Sequence, residues 1–130
     1  MLPWKKILCP TDFSDPSFEA LDAAVELAQH FSSELLVVHV VTLIPALATG
    51  HISASAFTVH DLQQQLEKSS NKILEEHIEK RIPKGVSKRG VLLAGDPANR
   101  IVDTANDEKV DLIVIATRGQ TGLKRIVFGS

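Results

Sequence analysis

Two short segments of this chain combine residue types suited to holding a phosphorylated ligand. Pro10-Thr11-Asp12 closes the apolar run Lys6-Ile7-Leu8-Cys9. A carboxylate there can accept hydrogen bonds from a base or a ribose, or reach a metal. A turn residue bonding its own backbone produces the same sequence, so position alone leaves both readings of Asp12 open. The second segment is Ala116-Thr117-Arg118-Gly119, with Gly129-Ser130 following after nine residues. Small residues let backbone N–H groups approach phosphate oxygens, and a following helix N-terminus favours an anion. No acidic residue occurs from Leu112 to Ser130, whereas Arg118, Lys124 and Arg125 do. That sign bias suits phosphate; a loop whose cations are merely solvated has the same composition.

The elements that must position these segments alternate. Lys6 to Pro10 is a short strand stopped by proline. Ser14 or Asp15 caps a helix with Pro16 in its first turn, and Phe18, Leu21, Val25 and Ala28 recur along its inner face. Glu34 to Val41 is nearly continuous in apolar, β-branched residues, as in a strand covered on both faces, so the sheet is expected to be parallel. Thr42 to Thr58 is a long uncharged loop, a lid or a docking surface if it is ordered. Asp61 to Ile82 is a helix with Leu62, Leu66, Ile73 and Ile78 inward, ended by Pro83 and Gly85. Val86 to Ala94 is a less apolar strand suited to a sheet edge. A helix capped by Asp96, with Ile101, Val102 and Ala105 as its buried stripe, leads to a second buried strand, Asp111 to Ala116. This order makes an α/β sheet with right-handed crossovers. Ligands in such sheets bind outside the carboxyl ends of the strands, where the strand order reverses, and both segments follow strand ends.

Composition sets the outer limits. The 130 residues are 44% hydrophobic and 23% charged, with 14 basic and 16 acidic side chains and a net charge of −2. One domain over 1–130 is expected. The charge balance argues against a nucleic-acid partner. A single cysteine, Cys9, excludes an internal disulfide and suits a reducing, cytoplasmic setting; it is expected to be a small buried hydrophobe. Met1 to Lys6 runs straight into a strand, so no secretory leader is expected, and the uncharged stretch Leu35–His60 is too broken to span a bilayer. The five histidines show no metal spacing; His39 is expected to satisfy a hydrogen bond within its strand, and Trp4 to be an edge anchor or a partner contact. G-x-G-x-x-G, G-x-x-x-x-G-K-[ST] and G-x-S-x-G motifs are all absent.

Four segments, in order, resemble the universal stress protein family: Lys6 to Ser14 (KILCPTDFS), Leu36 to Val40 (LVVHV), Gly95-Asp-Pro97 with Ile101, and Asp111 to Gly119 running on to Gly129-Ser130. The resemblance implies an open parallel sheet of strand order 3-2-1-4-5 with helices on both faces, a Rossmann-like fold of the adenine nucleotide alpha hydrolase-like type. Its last helix and strand would lie beyond Ser130, leaving the fourth strand as an open edge. The ATP-binding members carry Gly, two residues, Gly, nine residues, Gly, then Ser or Thr. Gly119, Gly129 and Ser130 match, and Ala116 replaces the first Gly. By the same resemblance Asp12 contacts the adenosine, Val40 presents its backbone to the adenine edge, Thr117, Arg118 and Gln120 flank the phosphate loop, and Pro10 and Thr11 belong to the same nucleotide-binding set. The implied function is a stress-linked regulator that binds ATP or a related adenine nucleotide, with Mg2+ at the phosphates. A homodimer, an unknown regulatory protein partner and no membrane partner are expected. No general base is visible, so at most a weak ATPase is expected. The alternative is a nucleotide-free dimeric scaffold of the same family, motivated by Ala116.

Overall fold

The computed structural model describes residues 2–43, 56–117 and 126–129, and the side chains of 56–58 and 126–129 are left aside. The elements run β1 (Lys6–Pro10), α1 (Asp15–Phe31), β2 (Glu34–Val41), α2 (Ala56–Arg81), β3 (Lys88–Ala94), α3 (Pro97–Asp107), β4 (Leu112–Ala116) and β5 (Ile126–Gly129). The sheet order is β3-β2-β1-β4-β5. β1 pairs in parallel with β2 and β4, and β2 in parallel with β3. The chain reverses direction across the sheet between β1 and β4, which makes that junction the switch point.

Alternation along the strands builds two cores. Ile7 and Cys9, Leu35 and Val37, and Leu112 and Val114 face α1 and α2, against Phe18, Leu21, Val25, Leu74 and Ile78. Leu8, Leu36 and Val38 face the other way, with Ile101 and Ala105 of α3 packed on them. Ser14 caps α1 by accepting from the Ser17 amide, and Asp96 caps α3 by accepting from the Asn99 amide at 3.1 Å. At the amino ends of the strands, Asp111 Oδ2 accepts from the Lys5 and Lys6 amides at 2.9 and 3.0 Å, which ties β4 to β1. Among the described residues no helix is long and apolar enough to cross a membrane.

Three expectations need correction. β5 is present and runs antiparallel to β4, from Ile126 opposite Ala116 to Gly129 opposite Ile113. The fourth strand is therefore not an open edge, and the segment expected to be part of a glycine loop supplies a ladder of backbone hydrogen bonds instead. α2 begins at Ala56 rather than Asp61, and its inner stripe is displaced by one residue. Leu62, Leu66 and Ile73 are 52, 43 and 40% exposed, whereas Gln63, Ser70 and Leu74 are buried together with Ile78. Leu74, Ile78 and Ile82 lie one turn apart, and their alignment sets the helix rotation although it turns Gln63 and Ser70 inward. On α3, Val102 is 54% exposed, because Ile101 and Ala105 alone reach the sheet.

Candidate functional site

A cavity of about 180 Å3 lies at the carboxyl ends of the strands, at the switch point. Its apolar walls are Pro10, Val38, Val40, Ile115 and Ala116 from the strand ends and Pro97 with Ile101 from the first turn of α3. Thr11, Asp12, Ser17 and His39 supply its polar rim. The β1–β4 ladder has only two positions, Ile7 opposite Leu112 and Leu8 opposite Ile113, while β4 continues to Ala116. The two strands thus part toward their carboxyl ends, and the cavity occupies the opening.

Backbone parity fixes what the strands present there. On β2, the Glu34 amide donates to the Lys5 carbonyl and the Val38 carbonyl accepts from the Thr11 amide, so even-numbered residues point their N–H and C=O toward β1. The Leu35 amide and the Val41 carbonyl bond on the β3 side. Val40 is even-numbered, and β1 has ended at Pro10, opposite Val38. The Val40 N–H and C=O therefore point past the end of β1, a donor and an acceptor side by side on the wall of an apolar pocket.

The turn after β1 is held by hydroxyls whose hydrogen-bond directions are forced. The Phe13 amide donates to Thr11 Oγ1 at 3.0 Å, and Ser17 Oγ donates to the Ser14 carbonyl at 2.8 Å. Thr11 Oγ1 and Ser17 Oγ are 2.9 Å apart, and with the Ser17 proton committed, Thr11 is the donor. Asp12 Oδ1 accepts from the Ser14 amide at 3.0 Å and from the Ser14 hydroxyl. Burial of the Asp12 carboxyl disfavours its charge, but hydrogen bonding, led by the Ser14 hydroxyl and amide, outweighs that and holds its pKa below the ordinary carboxylate value. Asp12 is thus an ionised, acceptor-only group at neutral pH, fit to take a hydrogen bond from a sugar hydroxyl. Ser17→Ala is expected to leave the buried Thr11 hydroxyl without an acceptor and to lower folding stability by about 1–3 kcal/mol, as measured by urea unfolding.

Of the residues singled out from sequence, the structure brings Pro10, Thr11, Asp12, Val40 and Ala116 together around one cavity. Thr117 follows Ala116 and is exposed. Arg118, Gly119, Gln120 and Ser130 lie outside the described residues, as do 44–55 of the long loop. Gly129 is not brought to the cavity: it pairs with Ile113, about 10 Å along the strand from the tip at Ala116. Ser17, Val38, His39, Pro97, Ile101 and Ile115 line the cavity without having been singled out for it. Val38 shares a strand face with Val40 by the period of two, and Pro97 with Ile101 a helix face by the step of four, so strand and helix periodicity held that signal.

His39 bonds outside its own strand: its Nδ1 lies 2.7 Å from the Thr11 carbonyl, an acceptor, so Nδ1 carries the proton. Trp4 packs on Phe31 with ring centroids 5.1 Å apart. Cys9 is buried, and burial, with the Asp22 charge second, pushes its thiol up to about 12, so it is an inert hydrophobe. Among the described residues no group of three or more His, Cys, Asp or Glu side chains is placed to hold a metal. Mg2+ would fit here as an ion carried by a nucleotide's phosphates, with Asp12 as the carboxylate among the cavity-lining residues described.

A family model described as "Universal stress protein family" matches residues 3–130. The chain is 35% identical over 130 residues to the universal stress protein YxiE of Bacillus subtilis, spanning 98% of this chain and 88% of that one. Among solved structures, MJ0577 of Methanocaldococcus jannaschii superposes with a TM-score of 0.73 at 26% identity, covering 93% of this chain and 80% of that one. A universal stress protein in complex with cAMP shares the fold at a TM-score of 0.51 and 18% identity, covering 85% of this chain and 70% of that one.

Proposed function

Because this chain belongs to the universal stress protein family, we propose that it binds ATP or a closely related adenine nucleotide at the β1–β4 switch point and acts as a stress-response regulator rather than as a catalyst. The observation that carries this reading is the pairing of a backbone donor and acceptor at Val40 with a cavity whose walls are apolar. A flat purine fills such a slot while its polar edge meets the strand backbone, and Asp12 faces the sugar. A cavity of about 180 Å3 is smaller than the 300–1,000 Å3 of pockets that enclose whole ligands, so it suits the base and leaves the phosphates outside. They are assigned to the stretch that continues from the pocket wall, Thr117 to Gln120, with Mg2+ carried between them; Gly129, held in β5, has no part in that assignment. Ala116 is not among the residues of positive φ, so its methyl sits on ordinary strand backbone and no glycine is required there. A fold neighbour bound to cAMP carries a ligand of the same class.

Among the described residues no nucleophile–base pair stands at the cavity, and turnover is expected to be slow at most. A homodimer, a regulatory protein partner and a cytoplasmic setting complete the proposal. The test is calorimetric titration of the full chain with ATP. Asp12→Ala removes a charged acceptor and is expected to weaken binding by about 10- to 100-fold. Absence of heat, or of competition, at millimolar nucleotide overturns the reading in favour of a nucleotide-free dimeric scaffold. Nucleotide retained by protein purified from cells counts against that scaffold.

A further inference from the structure

Phe13 stands between Asp12 and Ser14 in the left-handed region, with φ of 65°, a conformation unfavourable for a bulky side chain. Two imidazole rings pack against its side chain. The His39 imidazole of β2 stacks on the Phe13 ring at 4.2 Å and 27°, and the His77 imidazole of α2 stacks on the same ring at 5.5 Å and 26°. These are near-parallel ring contacts within stacking range. We propose that Phe13 is the positioning residue of the ligand-facing turn, and that His39 and His77 hold that turn by clamping the Phe13 ring. For its effect on ligand, the proposal rests on the nucleotide reading above.

The hydrogen bonds show how the clamp reaches the site. The Phe13 amide is held by Thr11 Oγ1, the Ser14 amide by Asp12 Oδ1, and the Thr11 carbonyl by His39 Nδ1. A rotation at Phe13 would therefore move the carboxylate on one side and the Thr11 peptide on the other. His77 meets the turn through its ring, and its Nδ1 is buried without a hydrogen-bond partner among the described residues. Its other neighbour is Phe18, at 4.6 Å, itself covered by the Arg81 guanidinium at 3.8 Å. Burial first, then the Arg81 and Lys80 charges, favours the neutral form of His77, which leaves an uncharged ring to stack. The clamp thereby links α2 to the turn that faces the cavity.

The experiment compares His77→Ala and His77→Phe in the full chain by ATP titration and by amide hydrogen exchange at Phe13 and Ser14. His77→Ala is expected to weaken ATP binding about tenfold and to speed exchange at both amides, and His77→Phe to restore both to within about twofold of wild type. Wild-type affinity and exchange in His77→Ala overturn the proposal, and so does a loss that His77→Phe does not restore. If the wild-type chain binds no ATP, the nucleotide reading fails and exchange alone decides: faster in His77→Ala and restored in His77→Phe supports the clamp, and unchanged exchange overturns it. If His77→Ala does not fold, Phe13→Gly serves, since it relieves the backbone strain while removing the ring. Tenfold weaker binding with accelerated Ser14 exchange supports the clamp, and wild-type values for both overturn it.

Discussion

Leu8→Ala is expected to lower the folding free energy by about 2–5 kcal/mol and to move the urea midpoint down with little change in slope. Leu8 is 0% exposed in β1, which lies inside the sheet between β2 and β4, and it anchors the smaller core with Leu36 and Val38. Removing its branched end leaves a void bounded by strands on either side and by α3 packed across the face. A central strand cannot shift inward without breaking its register with β2. The matched substitution on α2, Leu66→Ala, is expected to change stability by no more than about 0.5 kcal/mol, since that side chain is 43% exposed. Equal effects at the two positions would mean that the helix rotation, or the assignment of the smaller core, is wrong.

That contrast marks how far the sequence could be read. Strands β1, β2 and β4 were legible because an inner strand of a parallel sheet is buried on both faces and admits almost nothing but apolar residues. The caps at Ser14 and Asp96 were legible because an unpaired first turn selects few side chains. α2 was legible as a helix but not in its rotation. Leu62, Leu66 and Ile73 form one apolar stripe and Leu74, Ile78 and Ile82 the adjacent one, and a helix 26 residues long can offer the core only one of them. Tertiary packing decided between them at the cost of turning Gln63 and Ser70 inward. β5 was illegible because its pairing depends on a partner strand, and nothing local in Ile126–Gly129 specifies it.

The site divides along the same line. Asp12 and Val40 could be picked out because they follow strand ends, where the fold class places ligands. The clamp around Phe13 could not, because it joins three positions far apart in sequence: a turn, a strand residue and a helix residue. A positive φ leaves no mark when the residue is not glycine. His39 read as a strand residue, and for His77 the spacing excluded metal binding and said nothing more.

Ile101→Trp is expected to weaken ATP binding by a factor of at least about 100, equivalent to roughly 2.7 kcal/mol, while leaving the fold in place. Ile101 stands one turn into α3, lines the cavity and is only partly buried. The larger ring therefore has an open volume of about 180 Å3 to enter and need not displace the strands. Overpacking of a filled core usually costs about 1–3 kcal/mol; here the expected change in thermal midpoint is small, because the added atoms occupy space that the purine would otherwise take. Val102→Trp is the control. It adds the same ring at the next position of the same helix, where the side chain is 54% exposed and directed away from the cavity, and binding is expected to remain within about twofold of wild type. Calorimetric titration of both variants with ATP, beside their thermal unfolding curves, separates occlusion from unfolding. If Ile101→Trp binds ATP as the parent chain does while remaining folded, the base does not sit between α3 and the strand ends, and the site must be sought elsewhere along the carboxyl edge of the sheet.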